Sequence, residues 1–162
     1  MDVSFPGTRA TGAQHRHRAT TARSTRVGLL ILEGLVAVTA VAGGVALILG
    51  SLRPELATVL NPPADYLAGT PFSSYLVPGL ILAVVVGGVH ALAFVLALRQ
   101  SEWILMGAGV AGTALLIWVF VQMVFIPFSF LQVLYFGFGL AEVAVVMLAL
   151  GILRVAPPVR PH

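Results

Sequence analysis

Three side chains combine ionisable chemistry with an apolar setting: Glu33, His90 and Glu142. Each lies well inside a long hydrophobic run. A charge at the centre of a bilayer is costly, so such a residue faces protein or water, finds a partner, or gives up its charge. Two carboxyls and an imidazole brought together admit two readings. The first is a structural lock, in which a protonated Glu or a neutral His bonds across helices and fixes their register. The alternative is a proton relay or cation site, since coupled groups of this kind exchange protons near neutral pH when partly buried. No spacing such as H-E-x-x-H marks a metal site, and no nucleophile–base pair points to an enzyme. No catalytic residue, metal or cofactor is therefore expected. The chain has no cysteine, which excludes thiolate metal sites and the dithiol chemistry of four-helix quinone-linked oxidoreductases.

Whether the three groups meet depends on the elements that carry them. Of the 162 residues, 59% are hydrophobic and only 9% charged, and the mean hydropathy is +1.01. A soluble domain carries about 25% charged residues, so the solvent of this chain must be largely lipid. Four apolar runs are long enough to cross a hydrocarbon core of about 30 Å at about 1.5 Å per residue. They cover about 27–50, 75–98, 103–126 and 129–153. The expected fold class is all-α, a polytopic membrane protein built as a four-helix transmembrane bundle. Ala40-Val41-Ala42 resembles a signal-peptidase site, but the apolar run continues beyond it to Gly50, which reads as an uncleaved helix. Ser74 and Ser129 are candidate N-caps, and Pro127 stops the third helix before the fourth begins.

Between the first two spans, residues 51–74 hold four prolines and the charges Arg53, Glu55 and Asp65. This loop is expected to lie on the membrane surface or cap the bundle, and Asn61-Pro62-Pro63 cannot be helix interior. Residues 1–26 read as a disordered basic tail beside anionic headgroups, with His15-Arg16-His17-Arg18 as part of it. Residues 155–162 form a second short tail. Arginine placement sets orientation. Eight of the nine basic residues fall on the side of the termini and the 99–102 turn, and Arg53 alone falls on the other. Both termini are thus expected in the cytoplasm of a bacterial cell, with the bundle in its inner membrane. The basic pI does not indicate nucleic-acid binding; the expected partner is membrane lipid.

Small and polar residues mark one stripe on each helix. These are Glu33, Ala37, Ala40 and Gly44; Gly79, Ala83, Val86 and His90; Ala111, Leu115, Trp118 and Gln122; and Gln132, Tyr135, Gly139 and Glu142. The stripes can serve contacts within one chain, between copies, or with a partner membrane protein. Counted from the cytoplasmic helix ends, Glu33, His90 and Glu142 lie at depths that agree within roughly 6 Å. Where the helix seams converge, they would form one hydrogen-bonded Glu–His–Glu cluster. Gln122 and Gln132 flank the Pro127 turn at the outer end and are expected to bond to each other or to the 51–74 loop. Phe72, Tyr75 and Trp103 fall at expected interfaces, Trp118 deeper. The pairs Gly43-Gly44 and Gly87-Gly88 are positions for close packing.

The stretch Gly69-Thr70-Pro71-Phe72-Ser73-Ser74-Tyr75-Leu76-Val77-Pro78-Gly79 resembles a segment of uncharacterised four-helix bacterial membrane proteins. Trp118-Val119-Phe120-Val121-Gln122 and Leu131-Gln132-Val133-Leu134-Tyr135-Phe136 are similar to their third and fourth helices. The resemblance implies a four-helix fold over about residues 27–154 and carries no catalytic residues. Small multidrug transporters also have four helices and an acid in the first, as Glu33 is here. The long proline-rich loop and the second buried acid set this chain apart from them. The function expected first is a non-enzymatic structural or accessory membrane subunit; the alternative is a small proton-coupled transporter or channel component using Glu33, His90 and Glu142.

Overall fold

A computed structural model of the chain describes residues 8–152, with side chains described from Arg23 onward. The expectations for residues 1–7 and 155–162, and the positions of Arg154 and Arg160, lie outside the described residues. Five helices form, and no strand occurs among the described residues. They are α1 (Thr8–Leu52), α2 (Pro54–Leu60), α3 (Leu76–Leu98), α4 (Ile104–Phe125) and α5 (Phe130–Ala149). Four stretches are long and apolar enough to cross a membrane: Arg23–Leu52 of α1 and the whole of α3, α4 and α5.

The helix ends follow local chemistry. Helix α1 runs back to Thr8, where the sequence reading begins it at Val27. Extending an existing helix adds one bond per residue fixed, and the Ala and Arg of this segment are good helix formers. Within the proline-rich loop, Pro54 opens α2 at its first turn, and a 3₁₀ turn spans Ala64–Leu67. The Asn61-Pro62-Pro63 step ends α2 as its prolines require. The N-cap of α3 is Tyr75 rather than Ser74, whose hydroxyl accepts from the Leu76 N–H at 3.4 Å. Helix α5 starts as expected at Ser129, in a capping box completed by Gln132. It stops at Ala149, short of residue 153, because Gly151 turns the chain at φ 72°. The Ile152 N–H then reaches back to the Met147 carbonyl.

Helix α3 contains a stretch of π-helix over Ile81–Gly87. This wider turn shifts the register between Gly79 and His90, so that Val86 and Gly87 both turn inward. The four spans close into a ring in the order α1, α3, α4, α5. Helix α1 packs along all of α3, α4 packs along α5, and the α1–α5 seam is thinner. Large apolar side chains cover the outside, among them Ile31, Val38, Val84, Ile117 and Phe120. An apolar exterior on this scale suits lipid and would be untenable in water.

Small residues set the close approaches. A Cβ on Gly44 would lie 2.5 Å from the Gly79 carbonyl oxygen, so α1 and α3 touch backbone to backbone there. Of the two glycine pairs, only Gly44 and Gly87 are tight. A Cβ on Gly43 would make ordinary contact with Leu82, and one on Gly88 would meet nothing within 4 Å.

Candidate functional site

Glu33 from α1, His90 from α3 and Glu142 from α5 meet inside the bundle. Each offers a ligand-capable atom, and these atoms all lie within 4.8 Å of one another. Glu33 is 1% exposed, and His90 and Glu142 are 0% exposed. The three residues shown by the sequence to lie at one depth do meet, but no hydrogen bond joins them to one another. The backbone explains why it closes. Gly112 of α4 stands against Glu142, where a Cβ would lie 2.9 Å from the Glu142 Cβ and 3.1 Å from its Oε2. Any larger residue on α4 would push the carboxyl away.

His90 makes the only hydrogen bond that a side chain of the cluster forms among the described residues. Its Nδ1 lies 2.7 Å from the carbonyl oxygen of Val86. A carbonyl can only accept, so Nδ1 carries the proton and donates it. In the neutral ring Nε2 is then left with its lone pair, and it faces Glu142 Oε2 at 3.4 Å. That approach lacks hydrogen-bond geometry. The Nε2 atom and all four carboxyl oxygens of Glu33 and Glu142 are buried without a hydrogen-bond partner. Nor does an arginine pair with either acid among the described residues. Arg53 pairs with Glu55 on the surface at 3.8 Å. Arg26 donates from Nε to the Ala97 carbonyl at 2.9 Å and from Nη2 to the Leu98 carbonyl at 3.1 Å.

The cluster is closed along each helix by apolar turns. On α1, the buried Leu29 and Val36 lie one turn to either side of Glu33. Val36, Val86, Leu115, Val119 and Ala40 form a packed apolar layer across the bundle. Beyond that layer, toward the end capped by residues 53–75, a cavity of about 360 Å³ opens between the helices. It is largely apolar, with Pro62 of the cap, Trp118 and Gln122 in its wall. A cavity of this size is in the range that holds a small ligand.

The remaining sequence candidates are placed as follows. Gln132 does not bond to Gln122. Its Oε1 accepts the Ser129 N–H at 2.9 Å and its backbone N–H donates to Ser129 Oγ at 3.4 Å, so the side-chain oxygen is committed to the start of α5. Capping is a local bond that forms within one turn, and it forestalls the longer-range contact. Gln122 faces the cavity. Tyr75, at the start of α3, is buried, and its hydroxyl donates to the Pro63 carbonyl at 2.7 Å. Trp103 is exposed at a helix end, and Phe72 is half-buried. Sequence reasoning missed the capping role of Arg26, which it counted only for its charge. It also missed Gly112, for which a small residue facing a buried acid was the available signal.

No protein-family model, curated protein or solved structure matches the chain.

Proposed function

We propose that this multi-pass membrane protein holds a positively charged species at Glu33, His90 and Glu142 and works as a small transporter or channel component. The observation that carries this reading is the set of five buried polar atoms without hydrogen-bond partners. A lock between helices spends its polar atoms on bonds between helices. Among the described residues the only hydrogen bond made by a side chain of the cluster runs from His90 back to its own helix, and it holds nothing together across the bundle. It fixes the ring so that Nε2 is presented to the two carboxyls, as an outer hydrogen bond does for a ligating imidazole. Buried carboxyl oxygens without donors are costly, and a proton or a metal cation among them removes that cost.

The apolar cavity supports a route. It reaches from the cap to Val36 and Val86, each one turn from a member of the cluster. The arginine asymmetry supports both termini in the cytoplasm of a bacterial inner-membrane protein, with the cap and cavity facing outward.

Carbodiimide labelling located by mass spectrometry, paired with flux in proteoliposomes, tests the reading. The reagent modifies protonated carboxyls that it can reach from lipid or a cavity. Modification of Glu33 or Glu142, together with loss of cation or proton flux in a folded Glu33→Gln protein, is the expected result. If neither acid reacts at any pH and Glu33→Gln alters thermal stability alone, the cluster is a sealed structural element of an accessory subunit.

A further inference from the structure

We infer that Glu33, His90 and Glu142 form a binding site for a divalent transition-metal ion of the zinc class. The inference rests on the reading of the cluster as a cation centre and names the cation.

The first argument is distance. In a tetrahedral zinc shell with bonds of about 2.0–2.2 Å, two ligand atoms lie about 3.4 Å apart. His90 Nε2 and Glu142 Oε2 are separated by 3.4 Å, and neither atom has a hydrogen-bond partner. The same separation suits two ligands of one small cation. Glu33 completes the set of three, with one ligand-capable atom of each residue inside 4.8 Å of the others. That bound is wider than a closed shell, so metal binding draws the Glu33 carboxyl inward. Three protein ligands leave a fourth position for water or an incoming group.

The second argument is ligand state. The Nδ1–H of His90 is already committed to the Val86 carbonyl, so Nε2 offers its lone pair and its orientation is fixed before metal arrives. An imidazole with two carboxylates selects zinc-like ions over Mg²⁺ and Ca²⁺, which take oxygen ligands and more of them.

The third argument is charge. Among the described residues no arginine pairs with either acid. Two carboxylates and a neutral imidazole carry a formal charge of −2, and one divalent cation makes the buried centre neutral. Neutrality is what a site walled by Leu29, Val36 and Val86 requires.

The chain has four histidines, and His15, His17 and His162 could bind metal adventitiously. The test therefore uses the untagged full chain in lipid nanodiscs with those three changed to Gln. After chelator treatment it is titrated with Zn²⁺ and, separately, with Mg²⁺. The expected result is one Zn²⁺ per chain, no competition from Mg²⁺, and at least a ten-fold loss of affinity in Glu33→Gln and Glu142→Gln. Gln122→Ala, in the cavity wall, keeps the parent affinity. X-ray absorption of the bound ion, which needs no variant at the site, should show a first shell of nitrogen and oxygen at about 2.0–2.1 Å containing one imidazole. Zinc uptake well below one per chain, or affinity unchanged in both Glu variants, overturns the inference, the latter marking an adventitious ion only. If zinc does not bind but Glu33 still reacts with carbodiimide and its Gln variant stops proton flux, the cation centre stands with protons as its cargo. If labelling and flux fail as well, both readings fall.

Discussion

Gly112 and Glu142 face each other so closely that no side chain fits between them: a Cβ on Gly112 would stand 3.1 Å from Glu142 Oε2. The acid is buried on α5, yet its position is set by what α4 lacks. Substituting Gly112 with Ala should therefore act on the cluster without touching any of its ionisable groups. Overpacking of this kind costs about 1–3 kcal/mol, read as a lowered thermal midpoint in detergent. The displaced carboxyl should also weaken Zn²⁺ binding at least several-fold. A Gly112→Ala protein with unchanged affinity would mean that Glu142 does not need this position to bind.

A second prediction concerns what the cluster does to stability. Both Glu33 oxygens are buried without a partner, and replacing such a group with an apolar one of similar volume is often neutral or stabilising. In chelator-treated protein, Glu33→Leu should raise stability by about 1–3 kcal/mol in denaturant titrations. In the parent protein added Zn²⁺ should raise the midpoint, and in Glu33→Leu that gain should vanish. A structural lock predicts the reverse, with Glu33→Leu destabilising at all metal concentrations.

The cluster shows how far the sequence could be read. Lipid demands uninterrupted apolar runs, so the four spans were visible, and a fixed rise per residue placed Glu33, His90 and Glu142 at one depth. Their convergence also needed the seams of three helices to meet, as they do. Familiar metal spacings such as H-E-x-x-H describe ligands on a single helix and are absent from this sequence. Here each ligand comes from a different helix. The π-helical stretch at Ile81–Gly87 was equally hidden, since i to i+5 bonding depends on what packs against the helix. The same holds for the glycine pairs, where Gly44 and Gly87 are tight while Gly43 and Gly88 are not. Gln132 was misassigned because a local cap competes with a distant partner and usually wins.

Arg26 supplies a third prediction. It donates to two of the last carbonyls of α3, those of Ala97 and Leu98, and the Ala97 oxygen otherwise accepts the long Gln100 N–H at 3.4 Å. Substitution by Ala should cost about 1 kcal/mol, since the pair is only partly buried. Hydrogen exchange should accelerate at Val95–Leu98 and not at Leu76–Leu80. Lys carries the charge but not the two-pronged donor geometry, so Arg26→Lys should recover the exchange rate only in part.

At the turn between α3 and α4, Gln100 holds φ 53°, the left-handed region that favours glycine. Its neighbour Ser101 donates from N–H to the Leu96 carbonyl, the long bond of a helix-ending Schellman turn. Gln100→Gly should stabilise by about 0.5–1 kcal/mol, because the strain at Gln100 exceeds the entropy that glycine adds to the unfolded chain. The thermal midpoint checks it, and Zn²⁺ affinity should be unchanged, since the turn lies at a helix end away from the cluster.

Tyr75 ties the cap to the bundle. Its hydroxyl donates to the Pro63 carbonyl at 2.7 Å while the ring is buried. Tyr75→Phe removes that bond and leaves the Pro63 oxygen without it, at a cost of about 0.5–1.5 kcal/mol. Protease nicking within residues 54–74 should then become faster, with little change at the 99–102 turn. Burial, and secondarily Tyr66 and Asp65, push the Tyr75 phenol above its ordinary value of 10.0. The unfolded chain therefore loses this proton first. The tether is fully present below about pH 10 and weakens as pH rises through the higher folded value. Nicking of the parent protein should accelerate above that pH, whereas nicking of Tyr75→Phe, already fast, should change little. Equal alkaline acceleration in both proteins would mean that another group governs the cap.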